Sequence, residues 1–259
     1  MAGLLSSFRL DGDVVAVTGG GNGIGRAAAL ALAEFGASVA VLDRDDVAGR
    51  GVVEEIAAAG GKAIAVQVDV TEESEVEAAM ARVTKTLGGL DVLVSSAGIA
   101  IRAATTELSL SDWNRVVAVN LTGVFLVARH AAKAMIAQKR GGRIVNIASI
   151  MGLSGGGLYP NISYQSTKGA VINLTRALAV EWAPHRIRVN AVAPTWVRTG
   201  FIEPLLSDAA LVRRIEALTP LGRLADPEDV VGAILYLGSR ASAMVTGHIL
   251  AVDGGYLAQ

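Results

Sequence analysis

Short runs of β-branched residues alternate along this chain with longer alanine-rich stretches in which apolar residues recur at helical spacing. The short runs are apolar at nearly every position, which is typical of strands buried on both faces of a parallel sheet. Alternation of such strands with helices predicts successive βαβ units. The strand candidates are residues 13–19, 38–43, 62–70, 91–98, 142–149, 187–194 and 247–255.

Helical spacing fills most of the sequence between these strands. Three helix starts carry an N-cap signal, at Thr71, at Ser111 and at Asp226, and Pro227 follows the last of them at the first helical position. The pattern predicts an α/β protein with a doubly wound Rossmann fold, in which helices cover both faces of a seven-stranded parallel sheet. The helix candidates are residues 24–36, 46–59, 72–87, 111–138, 163–183 and 227–238.

The longest stretch without a clear element covers residues 195–226. A long irregular insertion with a short helix is usually a lid or a binding loop, and we expect residues 195–218 to form a substrate lid. The sequence contains no internal repeat, low-complexity tract or linker. Residues 1–259 are therefore predicted to form one domain.

Composition narrows the classes of function. Hydrophobic residues make up 52% of the chain and aromatic residues only 4%, so the core is expected to be aliphatic. A net charge of −1 without a basic tract argues against nucleic-acid binding, and the lack of cysteine excludes disulfides and a cysteine nucleophile. There is no signal-peptide pattern and no run of 18 apolar residues free of charge, so we expect a soluble cytoplasmic protein that acts on a small molecule away from membranes.

A glycine-rich segment, "VTGGGNGIG" at 17–25, joins the first strand to the first helix. Glycines permit positive φ and remove the Cβ atoms that would block a diphosphate, which the N–H groups at the helix start would bind. A tight turn without a ligand is the alternative interpretation. Its place inside a βαβ unit favours a dinucleotide site formed by Gly19, Asn22, Gly23 and Ile24, with Gly25 completing the glycine spacing.

Asp43 ends the second strand and indicates which dinucleotide is bound. A carboxylate there accepts hydrogen bonds from the adenosine ribose hydroxyls and repels a 2′-phosphate, which favours NAD over NADP. Arg44 is the counter-argument, because a guanidinium binds such a phosphate, whereas Asn22 offers no positive charge. The alternative interpretation is that Asp43 only caps the next helix.

Tyr164 and Lys168 stand four residues apart in "ISYQSTKGA" and so lie on one face of the predicted helix. Such a pair is usually structural. Oxidation of an alcohol, however, needs a base, and a free tyrosine with a pKa of about 10 is mostly protonated at neutral pH. A nearby ammonium group favours the phenolate, so the pair is a candidate proton-transfer device.

Seven motifs follow one another along the chain: "TGGGNGIG" at 18–25, "DV" at 69–70, "SSAG" at 95–98, Asn120, Ser149, "YQSTK" at 164–168 and "VAPTWVRT" at 192–199. In this order they resemble the motifs of the classical short-chain dehydrogenase/reductase family over nearly the whole length of the chain. Departures from the family pattern are Ser95 and Ser96, where asparagine is usual, and Thr195, where glycine usually follows the proline. The loop after Ser149 is also longer than usual.

The resemblance implies roles for four catalytic residues. Tyr164 would be the general acid/base, and Lys168 would lower its pKa and bind the nicotinamide ribose. Ser149 would hydrogen-bond the substrate oxygen, and Asn120 would hold a water that relays the proton from Lys168.

The resemblance also implies the contacts of the cofactor. Asp69 and Val70 would contact adenine, and Ala97 and Gly98 would line the adenosine side. The carboxamide end would be held by Pro194, Val197 and Thr199.

The same resemblance implies a homotetramer and an NAD-dependent dehydrogenase of polyols, sugars or small hydroxylated compounds. An NADPH-dependent 3-oxoacyl carrier-protein reductase is the alternative, and a non-catalytic cofactor-binding protein is a third possibility. No metal site is predicted. The expected substrate pocket includes Tyr159, Trp196, Phe201, Ile202 and Leu205, and four polar residues near it are expected to face solvent or a subunit interface, namely Asn161, Arg198, Arg102 and His248.

Overall fold

One parallel sheet runs through the protein, whose computed structural model describes residues 3–259. Its strands are β1 Val14–Thr18, β2 Ser38–Asp43, β3 Lys62–Gln67, β4 Val92–Ser95, β5 Gly142–Ile147, β6 Ile187–Pro194 and β7 Ile249–Val252. They lie in the order β3-β2-β1-β4-β5-β6-β7, and every neighbouring pair is parallel. This confirms the predicted seven-stranded Rossmann architecture.

Helices cover both faces of the sheet, as the sequence predicts. Successive residues of a strand point to opposite faces, so Val14 and Ala16 pack into one hydrophobic cluster while Val15 and Val17 pack into the other. The helices are α1 Gly23–Glu34, α2 Asp46–Ala58, α3 Glu73–Leu87, α4 Leu110–Val117, α5 Val124–Gln138, α6 Ile162–Trp182, α7 Glu203–Leu206, α8 Ala209–Ala217 and α9 Pro227–Gly238. Helices α3, α5 and α6 cover the first cluster, and α1, α2 and α9 cover the second.

The predicted helix 111–138 is interrupted by a π-helical segment, Ala118–Gly123, which separates α4 from α5. A π-helical turn widens the backbone locally and is frequent at functional sites. Leu110–Gln138 is long and apolar enough to cross a membrane by length and composition, but 56% of its most apolar window is buried inside the fold. That burial is typical of a core helix.

The N-cap prediction at Thr71 is wrong. α3 begins at Glu73 with Glu72 as its N-cap residue, and no side chain caps it. Thr71 instead donates hydrogen bonds from its amide and its hydroxyl to Oδ1 of Asp69, at 2.9 and 2.8 Å. Thr71 therefore belongs to the turn between β3 and α3, where the charged carboxylate of Asp69 is a strong acceptor for both of its donors.

The two other N-cap predictions have different outcomes. Ser111 lies inside α4, because Oγ of Ser109 accepts the Asp112 N–H at 3.0 Å and starts the helix two residues earlier. At α9 the prediction is confirmed. Asp226 is the N-cap residue, and its N–H donates to the Asp229 carboxylate at 2.8 Å.

The stretch after β6 folds into two short helices, α7 and α8, where the sequence predicts one. An apolar cluster ties this segment to the rest of the protein: Ile202, Leu205 and Ile215 pack with Trp196 and with Ile150, which follows β5. The segment therefore lies over the carboxyl ends of β5 and β6.

Candidate active site

A cavity of about 670 Å³ runs along the carboxyl ends of the strands. It is centred where the strand order reverses, between β1 and β4, which is the usual ligand position in open α/β sheets. All the predicted cofactor residues line it. These are Gly19, Asn22, Gly23, Ile24, Asp43, Asp69, Val70, Ala97, Gly98, Tyr164, Lys168, Pro194, Val197 and Thr199.

The glycine-rich turn leaves no room for side chains. A Cβ added to Gly25 would lie 2.1 Å from the carbonyl oxygen of Gly19, and Gly19 itself has a φ of +63°. A Cβ at Gly19 would lie 2.9 Å from Ala97 on the neighbouring β4 loop. The turn thus brings bare backbone to the N-terminus of α1, which fits the binding of a dinucleotide diphosphate.

Asp43 holds the glycine-rich turn and lines the cavity. Its Oδ2 accepts the Gly21 N–H at 2.9 Å, and its Oδ1 accepts the Asp45 N–H at 3.0 Å. The residue that caps α2 is Asp45, which accepts the N–H groups of Val47 and Ala48. The capping interpretation of Asp43 is therefore wrong, and a fixed carboxylate stands at the ribose end of the cavity.

The segment that follows β6 on the cavity wall also fits a nicotinamide cofactor. Thr199 closes on the glycine-rich turn, because a Cβ at Gly23 would lie 3.2 Å from its Cγ2. Oγ1 of Thr195 is buried there without a hydrogen-bond partner. An unpaired buried hydroxyl beside Pro194 is a ready partner for a carboxamide. When bound, the nicotinamide supplies the hydride acceptor and a positive charge.

Ser149 follows β5 and is only 6% exposed. Its Oγ accepts the Met151 N–H at 3.1 Å and starts a short 3₁₀ turn, Ile150–Gly152. This turn packs directly on α6, since a Cβ at Gly152 would lie 2.6 Å from the backbone of Lys168. The contact with Met151 leaves the hydroxyl hydrogen of Ser149 to be shared between the neighbouring Tyr164 oxygen and a substrate oxygen.

Tyr164 and Lys168 share one face of α6, as the sequence predicts. Nζ of Lys168 lies 5.5 Å from the centre of the Tyr164 ring and donates to the carbonyl oxygen of Ile147 at 2.6 Å. Lys168 is 4% exposed, whereas Tyr164 keeps part of its ring open to the cavity. The end of β5 therefore positions the lysine, with its remaining donors left for a ligand.

Burial dominates the proton affinity of both groups. It raises the pKa of the Tyr164 phenol to about 12, although hydrogen bonding to Ser149 and the charge of Arg102 oppose the rise. Burial also lowers the pKa of the Lys168 ammonium to about 8. This differs from the expectation that Lys168 lowers the pKa of Tyr164: desolvation of the phenolate is the largest cause, and the groups that act against it are Ser149 and Arg102 rather than Lys168.

Asn120 lies behind the cavity wall and is fully buried. Its Oδ1 accepts the Ile99 N–H at 2.8 Å, and its Nδ2 donates to the Ile99 carbonyl at 2.9 Å and to Thr167 at 3.3 Å. Both arms of the amide thus brace the β4 loop against α6. Of the side-chain amide, the second lone pair of Oδ1 is what remains for the expected relay water.

The two serines that replace the usual asparagines differ in their environment. Oγ of Ser95 is buried without a partner between Thr18 and Asn146 on the flanking strands. The Ser96 N–H donates to Oγ1 of Thr18 at 3.2 Å, and so does the Ala97 N–H at 3.4 Å. Thr18 therefore supplies hydrogen bonds that hold the end of β4.

Three of the polar residues expected to face solvent or an interface line the substrate end of the cavity, namely Arg102, Asn161 and Arg198. Asn161 is buried, against that expectation, whereas the Arg198 side chain is 45% exposed and faces solvent as well. Leu205 and His248 do not line the cavity: Leu205 packs within the apolar cluster that contains Trp196 and Ile150, and His248 precedes β7.

Tyr159, Trp196, Phe201 and Ile202 form the predicted wall. Nε1 of Trp196 donates to the Tyr159 hydroxyl at 2.8 Å, which fixes two of these rings. Pro227 and Glu228, which no sequence motif identifies as site residues, reach the cavity from the start of α9. The only sequence signal near these residues is the Asp226-Pro227 pair, which marks the start of the helix and not a binding site.

Comparison with known proteins identifies the family. A family model described as enoyl-(acyl carrier protein) reductase matches residues 19–257. The solved structure of a short-chain type dehydrogenase/reductase from Mycobacterium marinum superimposes with a TM-score of 0.96 at 42% identity, covering 99% of this chain and all of that one. The protein belongs to the classical short-chain dehydrogenase/reductase family.

Two further relatives of this short-chain dehydrogenase/reductase have named activities. Cis-4-hydroxycyclohexanecarboxylate dehydrogenase of Sinomonas cyclohexanicum is 45% identical over 250 residues, which cover 95% of this chain and 96% of that protein. A gluconate 5-dehydrogenase from Burkholderia cenocepacia, solved in complex with NADP and tartrate, has a TM-score of 0.95 at 36% identity, covering 99% of this chain and all of that one. The prediction of an oxidoreductase of this family is confirmed.

Proposed function

We propose that this short-chain dehydrogenase/reductase transfers a hydride between a secondary alcohol and NAD, with Tyr164 as general acid/base. The observation that carries the proposal is the meeting of Ser149, Tyr164 and Lys168 at one end of a cavity whose other end is the glycine-rich turn. A reacting carbon next to these groups would lie beside the nicotinamide end of the cofactor.

Each side chain has one task in this proposal. Ser149 donates its hydroxyl hydrogen to the substrate oxygen, since the Met151 N–H occupies a lone pair of Oγ and not that hydrogen. Tyr164 exchanges the proton of that oxygen: the phenolate accepts it during alcohol oxidation and the phenol returns it during carbonyl reduction. Lys168, held by the Ile147 carbonyl, keeps donors for the cofactor ribose.

The proposed substrates are polyols, sugars and small hydroxylated compounds. The Sinomonas and Burkholderia relatives are named for activity on hydroxylated carbon skeletons, which supports this class. Oδ1 of Asn161, buried at the cavity without a partner, supports a substrate with an additional hydroxyl group. The 3-oxoacyl carrier-protein reductase activity is the alternative.

A cofactor-absorbance screen tests the proposal. NAD and NADP are each combined with polyols, sugars, sugar acids, secondary alcohols and steroids, and with 3-oxoacyl thioesters in the reverse direction. We expect NAD reduction with at least one hydroxylated compound. Reduction of 3-oxoacyl thioesters by NADPH, with no alcohol oxidised by NAD, would establish the alternative.

The choice of NAD rests on Asp43, whose two oxygens are fixed by the N–H groups of Gly21 and Asp45 and would repel a 2′-phosphate. Arg44 beside it favours NADP, and NADP is the cofactor in the Burkholderia structure. The ratio of kcat/KM for the two cofactors decides between them. We expect Asp43→Asn to lower the NAD preference, whereas a preference for NADP that Arg44→Ala removes would contradict the proposal.

We further propose a cytoplasmic homotetramer. Val180 on α6 is 79% exposed and Phe125 on α5 is 38% exposed, so both helices present apolar side chains to solvent in the single chain. Apolar side chains on long helices support packing against a symmetry mate. Light scattering of the purified protein measures the assembly directly, and a stable monomer at micromolar concentration would exclude it.

A further inference from the structure

Arg102 is the unpaired cation at the substrate end of the cavity. Its Nε is buried without a hydrogen-bond partner, and its Nη2 makes only a long contact of 3.4 Å with the Phe201 carbonyl oxygen. Within residues 3–259 no carboxylate lies within ion-pair distance of it. By contrast, Arg198 on the same cavity faces Glu216 at 3.8 Å and Asp226 at 3.9 Å.

Aromatic rings hold the Arg102 guanidinium in place. Its central carbon lies 5.6 Å from the centre of the Tyr159 ring and 5.7 Å from that of Phe201. Tyr159 is itself fixed by the hydrogen bond from Trp196. A guanidinium packed on rings keeps its planar N–H edge for a ligand, and the arrangement lowers its freedom before binding.

The same rings connect Arg102 to the catalytic group. The Phe201 ring lies 5.6 Å from the Tyr164 ring, so one phenylalanine contacts both the cation and the proposed acid/base. Arg102 and Tyr164 line the same cavity, and the guanidinium charge acts to lower the pKa of the Tyr164 phenol. One small molecule can therefore place one functional group at Arg102 and its reacting alcohol at Tyr164.

We propose that Arg102 binds a carboxylate of the substrate, so that the substrates of this enzyme are hydroxy acids whose carboxylate and secondary alcohol lie on one small carbon skeleton. A carboxylate matches the planar donor edge of a guanidinium with two parallel hydrogen bonds. It also supplies the charge partner that the part-buried Arg102 side chain, with its buried and unpaired Nε, lacks. Tyr159 and Phe201 would cover the apolar faces of the carbon skeleton. The proposal rests on the proposed alcohol dehydrogenase function.

Kinetics with a matched substrate pair test the role of Arg102. 4-Hydroxycyclohexanecarboxylate and its neutral carboxamide have the same shape and differ in charge. We expect the wild type to prefer the acid and Arg102→Met to lower the acid-to-amide ratio of kcat/KM by roughly 100-fold, the loss expected for one member of a desolvated ion pair. The acid should lose more in KM than in kcat, because Arg102 contacts the carboxylate and not the reacting carbon.

Two further variants separate charge from packing. Arg102→Lys keeps a cation and should restore part of the acid preference. Arg115→Met is the matched control, since Arg115 lies on α4 with a side chain 68% exposed and pairs only with Asp112; it should leave the ratio unchanged. An acid-to-amide ratio near one in the wild type, or an equal loss for both compounds in Arg102→Met, would overturn the proposal.

A binding measurement keeps this test independent of turnover. Cyclohexanecarboxylate carries the carboxylate but no alcohol, and calorimetry measures its binding to the enzyme loaded with oxidised cofactor. We expect binding to the wild type and a loss of roughly 100-fold or more in Arg102→Met. If no alcohol is oxidised, the dehydrogenase function fails while calorimetry still decides on the carboxylate site. Equal binding by wild type and Arg102→Met would exclude that site.

Discussion

Lys168 donates a 2.6 Å hydrogen bond to the carbonyl oxygen of Ile147, the last residue of β5. This bond fixes the lysine from the sheet, one helical turn from Tyr164, with its ammonium 5.5 Å from the centre of the phenol ring. Because the contact to Ile147 does not depend on the tyrosine, the two side chains are expected to respond differently to substitution.

Tyr164→Phe should lower kcat by about 10³-fold, because general acid–base catalysis typically contributes roughly 10²–10⁴-fold and the other phenol of the cavity wall, Tyr159, is held by Trp196. Cofactor affinity should stay within about threefold of the wild type. Lys168→Ala should weaken both kcat and cofactor binding, since it removes the donors as well as the charge. Steady-state kinetics and fluorescence titration of the cofactor measure the two effects, and an active Tyr164→Phe enzyme would refute the assigned role.

Ser149→Ala should lower kcat by about 10²-fold, which is the usual effect of removing one donor from a developing oxyanion. The short turn after β5 should weaken as well, because the Met151 N–H loses its acceptor. Ser166→Ala is the matched control on the exposed side of α6 and should leave kcat unchanged. Equal kinetics for the two variants would remove Ser149 from the mechanism.

The rate of alcohol oxidation should rise with pH. Burial raises the pKa of Tyr164 to about 12, so the phenolate needed for oxidation is a minor species at neutral pH and its fraction grows as pH increases. Carbonyl reduction uses the phenol and should not need alkaline pH. Profiles of kcat/KM in both directions between pH 6 and pH 10 check this. Arg102→Met should move the oxidation profile to higher pH, because the guanidinium charge lowers the pKa of Tyr164. An oxidation rate independent of pH would contradict the assignment.

The stability of the protein without cofactor should rise between about pH 8 and pH 10.5. The pKa of Lys168 is lowered to about 8 in the folded protein and is 10.5 in the unfolded chain, so in this window the unfolded state binds more protons. Complete titration would add at most about 3 kcal/mol to the free energy of unfolding. Urea unfolding at several pH values, compared with Lys168→Met, isolates this contribution. Parallel curves for the two proteins would show that the lysine is not buried as described.

Gly25→Ala should abolish cofactor binding and destabilise the fold by about 1–3 kcal/mol through overpacking. The new Cβ would lie 2.1 Å from the Gly19 carbonyl oxygen, and the turn must shift to accept it. Gly51→Ala in α2 is the matched control: nothing lies within 4 Å of its Cβ, and helix propensity should stabilise it by about 0.5–1 kcal/mol. Thermal unfolding and cofactor titration of both variants give the comparison. Normal cofactor affinity in Gly25→Ala would argue against a diphosphate at this turn.

The sequence by itself determined the sheet, the glycine-rich turn and the place of Tyr164 and Lys168. Apolar runs, helical spacing and glycine positions act over a few residues, so they are readable along the chain. Even there, competition between neighbouring acceptors decided details such as the helix start at Ser109 in place of Ser111. The strongest local acceptor depends on geometry that spacing does not carry.

Only the tertiary structure decided how the side chains of the site behave. The Asn120 amide oxygen accepts a hydrogen bond from Ile99, which lies 21 residues away in the chain. Lys168 donates one to Ile147, at the same separation. The direction of the pKa shift at Tyr164 depends on how much protein surrounds the phenol, and the lack of a partner for Arg102 depends on which side chains the fold brings near it. Desolvation and charge pairing sum over all neighbours in space, and those neighbours are set by the packing of helices and loops far apart in the chain.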